Sequence, residues 1–251
     1  MSKTTHWGHR SLTYGQMVAP LTPNQEIIDG FTSLAPINGQ VLLLGVTRKI
    51  AETYEHVTAV DYNEDMIAHV WPGNTANKTA SLDNWLTMDL PLEHYDAVIG
   101  DGSLNMLAPV EVKQLLDRAL EWLRPGGVLA CRIFTSPDAP VTEERIIAEG
   151  INPVMVFDGW RRLLNMRIAQ RDGSLFPVVR IVELFDQLFP NPSVLPWSDI
   201  SAIESYRTST SMVWFPTRQE VLDLAPPGSY FVDVGTYDTA DTCPILTFTK
   251  Q

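Results

Sequence analysis

Apolar positions in the first half of the chain follow two periods, one typical of buried strands and one typical of amphipathic helices. Strand-like runs occur in five segments, which read QVLLLGV, HVTAVDY, KTASLDNW, YDAVIGDGS and VLACRIF. QVLLLGV is a continuous apolar run, which is typical of a strand buried on both faces of a sheet. The segment PVEVKQLLDRALEWL instead places apolar residues at i, i+3, i+4 and i+7, as one face of a helix does. This alternation predicts parallel βαβ units with right-handed crossovers and helices on both faces of the sheet.

The pattern changes after residue 136 and returns near residue 217. Residues 137–216 contain several helical periods interrupted by prolines, and no strand is evident there. The last segment, YFVDVGTYDTADTCPILTFTK, contains two strand-like runs with no helix between them, so the two should pair antiparallel. We therefore expect a doubly wound, mostly parallel seven-stranded α/β sheet with an antiparallel last strand. Its core would comprise residues 1–136 and 217–251, with residues 137–216 as a helical cap insertion.

Composition and charge narrow the class of partner. The 251 residues are 45% hydrophobic and 19% charged, which is ordinary for a globular protein. The net charge of −12 argues against binding to nucleic acid or to an anionic membrane surface. The N-terminal MSKTTHWGHR has no apolar core, and no run of about 18 apolar residues follows it. We expect a cytoplasmic protein.

Cysteine and histidine usage gives no sign of a metal site. Cys131 and Cys243 each lie in an apolar run, which predicts two buried free thiols. His6 and His9 have i, i+3 spacing, but no acidic cluster surrounds them. We expect no bound metal.

The loop after the first strand, VLLLGVTRKI, opens with Gly45 but carries Thr47 and Lys49 where a dinucleotide loop has further glycines. A pyrophosphate needs the close backbone approach that those glycines allow, so the loop disfavours a NAD-dependent dehydrogenase. Asp61 ends the second strand, 16 residues after Gly45. An acid there can bind the hydroxyl pair of a ribose or can simply cap the next helix, and position alone does not decide between the two.

Three segments, VTAVDYNEDMI, YDAVIGDGSLNML and LRPGGVLACRIF, taken in this order, resemble the class I S-adenosylmethionine-dependent methyltransferases. The resemblance covers residues 38–136 and 217–251. Within the family, the chain resembles a bacterial branch whose first loop reads GVT in place of GxGxG. It implies a Rossmann-like sheet and S-adenosylmethionine as cofactor. Because this cofactor has no pyrophosphate, a loop with one glycine is compatible with it.

The resemblance also implies roles for individual residues. Asp61 would accept from the ribose, Met66 would pack on the adenine, and residues 83–85 would contact the adenine edge. Asp101, at the end of the fourth strand, would hold the amino group of the cofactor or serve as a catalytic base. The full set expected at the cofactor is Gly45, Thr47, Asp61, Tyr62, Met66, Asp83, Asn84, Trp85, Asp101 and Gly102.

The cap would cover the acceptor as a lid. It is rich in arginine, a side chain that binds carboxylates and phosphates well, and Arg167, Tyr206 and Arg207 are the candidates for substrate binding. Solvated ion pairs with nearby acids are the alternative for these arginines.

The resulting hypothesis is a methyltransferase acting on a small molecule by in-line transfer. One alternative is aminopropyl transfer in the same pocket. Another is a non-catalytic protein that binds S-adenosylmethionine or a partner through a degenerate loop. The sequence specifies neither the acceptor nor the oligomeric state.

Overall fold

A seven-stranded sheet forms the centre of the protein. The computed structural model describes Gly8 and residues 11–197, 200–234 and 242–251. The strands of the sheet are β1 (Gln40–Leu44), β2 (His56–Asp61), β3 (Lys78–Leu82), β4 (Tyr95–Asp101), β5 (Leu123–Arg132), β8 (Tyr230–Val232) and β9 (Ile245–Thr249). Their order is β3-β2-β1-β4-β5-β9-β8, and β1 to β5 pair in parallel. β9 pairs antiparallel with both β5 and β8, so the predicted fold class is confirmed.

Both faces of the sheet are covered, as the continuous apolar runs predicted. In β1, Leu42 and Leu44 enter one core cluster, whereas Val41 and Leu43 enter the cluster on the opposite face. Alternate residues of a strand point to opposite faces, so a strand between two helical layers needs apolar side chains at every position.

Residues 11–13 are helical, and nine further α-helices lie wholly within the described part of the chain. Their bounds are α1 (Gln25–Leu34), α2 (Arg48–Thr53), α3 (Glu64–Val70), α4 (Pro109–Trp122), α5 (Glu143–Gly150), α6 (Phe157–Asp172), α7 (Val179–Leu188), α8 (Ser201–Glu204) and α9 (Arg218–Leu224). The predicted periodicity of α4 is confirmed, because Val112, Leu115, Leu116, Ala119 and Trp122 are all buried. α1 covers the other face with Ile27, Ile28 and Phe31.

The predicted cap, residues 137–216, has a hydrophobic core of its own around the buried Trp160. The expectation that it contains no strand is wrong: β6 (Leu175–Pro177) and β7 (Met212–Trp214) pair antiparallel in a separate two-stranded sheet. Three-residue strands are too short to show a period of two in the sequence, and their pairing is decided by the packing between them. The division of the chain at residues 136 and 217 stays a prediction.

Cys131 and Cys243 are buried and free, as predicted. No helix in the described ranges is long and apolar enough to cross a membrane. Within those same ranges, no three His, Cys, Asp or Glu side chains are grouped so as to hold a metal ion. His6 and His9 lie outside the described residues.

Candidate active site

A cavity of about 190 Å³ lies at the carboxyl ends of β1, β2 and β4 and extends to the cap. A single water needs about 10–15 Å³ of such volume, so this space suits an organic ligand rather than trapped water. The core side is lined by Leu44, Gly45, Val46, Thr47, Asp61, Met66, Trp85, Asp101, Gly102, Ser103, Asn105, Met106 and Phe134. The cap side is lined by Arg161, Arg162, Asn165, Val178, Ile181, Tyr206, Ser211, Met212, Val213 and Phe215.

Gly45 and Asp61 lie side by side at one end of this cavity. Gly45 adopts φ +107°, a backbone conformation that favours glycine, and its N–H donates to the carbonyl oxygen of Val60 at 2.8 Å. A Cβ at this position would lie 3.8 Å from Oδ2 of Asp61. Asp61 is 7% exposed, and its Oδ1 accepts from the backbone N–H of Asn63 at 2.9 Å.

Burial raises the pKa of the Asp61 carboxyl to about 6, partly offset by hydrogen bonds from the backbone of Asn63 and Tyr62. At neutral pH the group is therefore ionised but poorly solvated. Such a carboxylate gains from any hydrogen-bond donor that enters the cavity.

Trp85 and Met66 form the wall next to Asp61. The Trp85 indole Nε1 donates to the carbonyl oxygen of Val60 at 2.6 Å, which fixes the ring against β2. Tyr62, Asp83 and Asn84, which were also expected here, are exposed and do not line the cavity. Tyr62 contacts the edge of the Trp85 ring, whereas the Asp83 carboxylate accepts from the Asn84 backbone within the loop.

The N-terminal segment supplies three lining residues that sequence reasoning missed: Tyr14, Met17 and Leu21. Burial and the nearby Asp101 charge raise the pKa of Tyr14 above its usual range. This segment precedes the first strand and carries no motif, so only the folded chain shows that it lines the site.

Asp101 forms a buried ion pair with Arg132. Nε of Arg132 lies 2.5 Å from Oδ1 of Asp101, and the two side chains are 0% and 3% exposed. Nη1 of Arg132 also donates to the carbonyl oxygen of Pro20 at 2.6 Å. The Asp101 carboxylate is thus already bound by a guanidinium at the end of β4. Its role as a catalytic base stays a prediction.

The turn after β4 is fixed by polar contacts. Gly102 adopts φ +72° and donates its N–H to the carbonyl oxygen of Arg132 at 2.9 Å. Ser103 Oγ donates to the carbonyl oxygen of Leu44 at 2.6 Å. Asn105 Nδ2 donates to the carbonyl oxygens of Phe134 at 2.8 Å and Trp214 at 2.7 Å. These bonds tie the turn to β1, to the end of β5 and to the cap.

Of the three predicted substrate-binding residues, only Tyr206 lines the cavity. Its hydroxyl accepts from Nη1 of Arg161 at 2.7 Å. Arg167 pairs instead with Glu143 at 3.3 Å, and Arg207 binds both carboxylate oxygens of Asp186 at 2.6 and 2.8 Å. Arg167 and Arg207 therefore form ion pairs with nearby acids, which was the alternative to substrate binding.

Arg161 and Arg162 line the cavity but were not among the three residues chosen for substrate binding from the arginine-rich cap. Both are buried in α6, where Arg161 pairs with Asp158 and Arg162 contacts the thiol of Cys243. The sequence WRRLLNMR contains three arginines on one helix. Which of them faces the cavity depends on how the helix is rotated, and that is set by packing around Trp160.

Comparison with known proteins supports the same reading of the core. Residues 45–127 match the family model described as "Methyltransferase domain". The same sheet carries the turn at Gly45, the acid Asp61 at the end of β2 and the antiparallel strand β9. Residues 45–127 are a methyltransferase domain. No curated protein sequence matches the chain.

Solved structures share the fold at low sequence identity. A Rhodobacter sphaeroides protein proposed to be a Zn-dependent alcohol dehydrogenase is 14% identical, with 99% of each chain covered and a TM-score of 0.58. The 1,6-didemethyltoxoflavin-N1-methyltransferase of Burkholderia thailandensis is 16% identical, with 96% of this chain and 83% of that chain covered and a TM-score of 0.53.

The CcbJ methyltransferase of Streptomyces caelestis is 24% identical over 54% of this chain, with a TM-score of 0.45. This chain spans 59% of its length. At these identities the likeness outside the methyltransferase domain concerns the fold alone.

Proposed function

We propose that this protein transfers the methyl group of S-adenosylmethionine to a small molecule enclosed between the methyltransferase domain and the cap. One observation carries the proposal. A single cavity reaches from Gly45 and Asp61 at the edge of the sheet to Arg161 and Tyr206 on the cap, so donor and acceptor would meet inside it.

The residues at the sheet edge fit a nucleoside. Asp61 offers a buried carboxylate whose Oδ2 lies beside Gly45, where a pair of hydroxyl donors would relieve its poor solvation. Trp85 and Met66 supply an apolar wall for a flat base. The Burkholderia thailandensis enzyme was crystallised with S-adenosylhomocysteine, which supports the same class of cofactor here.

When bound, the cofactor supplies a methyl group on a sulfonium centre. The protein must align the acceptor with that methyl group and exclude water. Met17, Met106 and Phe134 line the cavity with apolar atoms, which serves the exclusion of water. Orientation of two reactants in this way can lower a barrier by about 7–11 kcal/mol without a covalent residue.

Asp101 is assigned a positioning role in this scheme. Arg132 fixes its carboxylate at the end of β4, where it lines the cavity. A carboxylate so placed can accept from the amino group of the cofactor while keeping its ion pair. We retain it as a cofactor contact.

The size and lining of the cavity favour a small acceptor. Side chains of the cap and of Tyr14, Met17 and Leu21 line the cavity together with the sheet edge, and its volume of about 190 Å³ suits a small organic molecule. The net charge of −12 disfavours a nucleic acid as well. The Burkholderia thailandensis enzyme, which was crystallised with 1,6-didemethyltoxoflavin, shows that this fold accommodates such a ligand in another protein.

Calorimetric titration of S-adenosylhomocysteine into the wild type, Asp61→Ala and Asp117→Asn tests the proposal. Loss of a charged hydrogen-bond acceptor should weaken binding to Asp61→Ala by roughly 10–100-fold. Asp117 is an exposed acid on α4 that pairs with Lys113, so its variant should bind as the wild type does. Absence of binding to the wild type at millimolar ligand would refute the proposal and favour the partner-binding alternative.

Turnover requires a second measurement. The formation of S-adenosylhomocysteine from S-adenosylmethionine is measured in the presence of each member of a panel of small aromatic and aliphatic compounds. Release that depends on one of these compounds and is lost in Asp61→Ala is the expected result. Aminopropyl transfer is tested in parallel with decarboxylated S-adenosylmethionine as the donor, and release of methylthioadenosine from that compound would indicate it.

A further inference from the structure

The cap end of the cavity is lined by two buried guanidinium groups, those of Arg161 and Arg162, of which Arg162 contacts the thiol of Cys243. Arg161 is 4% exposed and lines the cavity. Its Nε donates to Oδ1 of Asp158 at 3.0 Å, and its Nη1 donates to the Tyr206 hydroxyl at 2.7 Å. Within the described part of the chain its Nη2 makes no hydrogen bond. The guanidinium is thus held in place on one side and has donors left on the other.

Most of the other side chains that line this end of the cavity are apolar: Val178, Ile181, Met212, Val213 and Phe215, with Phe134 where the cap meets the sheet. Asn165 and Ser211 are further polar residues of the same lining. The rings of Phe134 and Phe215 are nearly parallel, with an interplanar angle of 13° and centroids 6.5 Å apart. A ligand in this part of the cavity would bury mainly carbon.

Guanidinium groups only donate hydrogen bonds and stay charged at all accessible pH values. A ligand that covers Arg161 with carbon would leave its remaining donors unsatisfied in a buried site, and a cationic ligand would be repelled. An oxygen that accepts hydrogen bonds satisfies them.

We propose that the acceptor is a largely apolar molecule whose cap-facing end carries a carbonyl or carboxylate oxygen, bound by Arg161. This inference rests on the proposed function and names its substrate class. Tyr206 acts as a positioning residue, because its hydroxyl holds Nη1 of Arg161. Asp158 holds Nε and is itself fixed by the backbone N–H of Val18 at 3.2 Å.

The alternative is a purely structural Arg161 that ties α6 to the chain after α8. Both roles predict a loss of stability when Arg161 is removed. They differ in ligand preference, which can be measured on the wild type without any substitution.

The test uses the complex of the wild type with S-adenosylhomocysteine and four probes of similar size: acetophenone, benzoate, ethylbenzene and 1-phenylethylamine. Dissociation constants are measured by ligand-observed NMR. Acetophenone or benzoate should bind roughly tenfold or more tightly than ethylbenzene, and the cationic amine should bind most weakly. The tighter of the first two identifies the oxygen as carbonyl or carboxylate.

Two variants then assign the preference to Arg161. Arg161→Lys keeps the charge beside Asp158 but loses the fork of donors, and Tyr206→Phe removes the hydroxyl that holds it. Each should reduce the preference for the oxygen-bearing probe severalfold. Arg180→Lys is the matched control, because Arg180 is an exposed cap arginine paired with Asp172 and Glu183.

Equal binding of acetophenone, benzoate and ethylbenzene would overturn the inference, as would binding of none of them at millimolar concentration. An unchanged preference in Arg161→Lys and Tyr206→Phe would also overturn it. S-adenosylhomocysteine is titrated into every variant. Retained binding of this ligand with no oxygen preference means that the inference fails while the proposed function stands.

Discussion

Asn105 should be a main determinant of stability, although it lies in a short turn. It is 2% exposed and bridges three elements. Its Nδ2 donates to the carbonyl oxygens of Phe134 and Trp214, and its Oδ1 accepts from the backbone N–H of Phe134 at 2.9 Å. Asn105→Ala removes the partner of three backbone groups at once.

The expected loss follows from the burial of those three groups. An unsatisfied buried donor or acceptor costs about 1–3 kcal/mol. The bond to Trp214 is fully buried, whereas the two bonds to Phe134 are partly buried and water can replace them in part. We therefore expect Asn105→Ala to lower the free energy of unfolding by about 2–4 kcal/mol.

Urea denaturation followed by tryptophan fluorescence measures this loss. Asn105→Asp should be at least as destabilising, because a carboxylate cannot donate to the two carbonyl oxygens. Asn152→Ala is the matched control: Asn152 is exposed and its side chain accepts one bond, from the N–H of Val154 at 3.2 Å. A loss below about 1 kcal/mol in Asn105→Ala would show that the turn is not held as described.

Three further outcomes are expected. Burial raises the pKa of Asp61 from 3.8 to about 6, so the folded state binds this proton more tightly than the unfolded state does. Lowering the pH from about 7 to about 4 should therefore stabilise the wild type relative to Asp61→Asn by up to about 2–3 kcal/mol in urea titrations. An unchanged difference in the free energy of unfolding would contradict the burial of this carboxyl. Gly102→Ala should be more destabilising than Gly126→Ala in the same assay. Both glycines have a positive φ, but only a Cβ at Gly102 would meet a side chain, that of Phe134 at 3.1 Å; equal losses of stability would contradict this crowding. Arg207→Lys should bind S-adenosylhomocysteine within about twofold of the wild type in calorimetry, and a tenfold loss would place Arg207 at the cavity after all.

Much of the methyltransferase domain could be predicted because its signals are local. Continuous apolar runs mark strands buried on both faces, and the residue that ends such a strand must lie at the carboxyl edge of the sheet. Gly45, Asp61, Asp101 and Gly102 all line the cavity for this reason. Their individual roles toward a cofactor stay predictions.

The loop after β3 shows where this reasoning fails. Residues 83–85 follow a strand, so all three were placed at the adenine edge, but only Trp85 reaches the cavity. Asp83 and Asn84 face solvent because the indole of Trp85 occupies the space against β2. The choice among adjacent loop residues is made by side-chain packing, which leaves no period in the sequence.

The cap shows the same limit on a larger scale. The sequence indicated an arginine-rich helical insertion, but it singled out Arg167 and Arg207, whereas Arg161 and Arg162 line the cavity. Folding brings Glu143 to Arg167 and Asp186 to Arg207, and each acid forms an ion pair with its arginine. Their partners lie 24 and 21 residues away in the chain, beyond any local pattern.

The sequence by itself therefore determined the order of strands and helices up to residue 136, the sheet edge at which the cavity lies and the glycine and acid at that edge. These properties follow from hydrophobic period and strand polarity, which each segment carries alone. Only the tertiary structure decided that Asp101 is held by Arg132, that Tyr14, Met17 and Leu21 line the cavity and that Arg161 lines it as well. Contacts between segments distant in sequence depend on the packing of the whole chain, and no single stretch of residues encodes them.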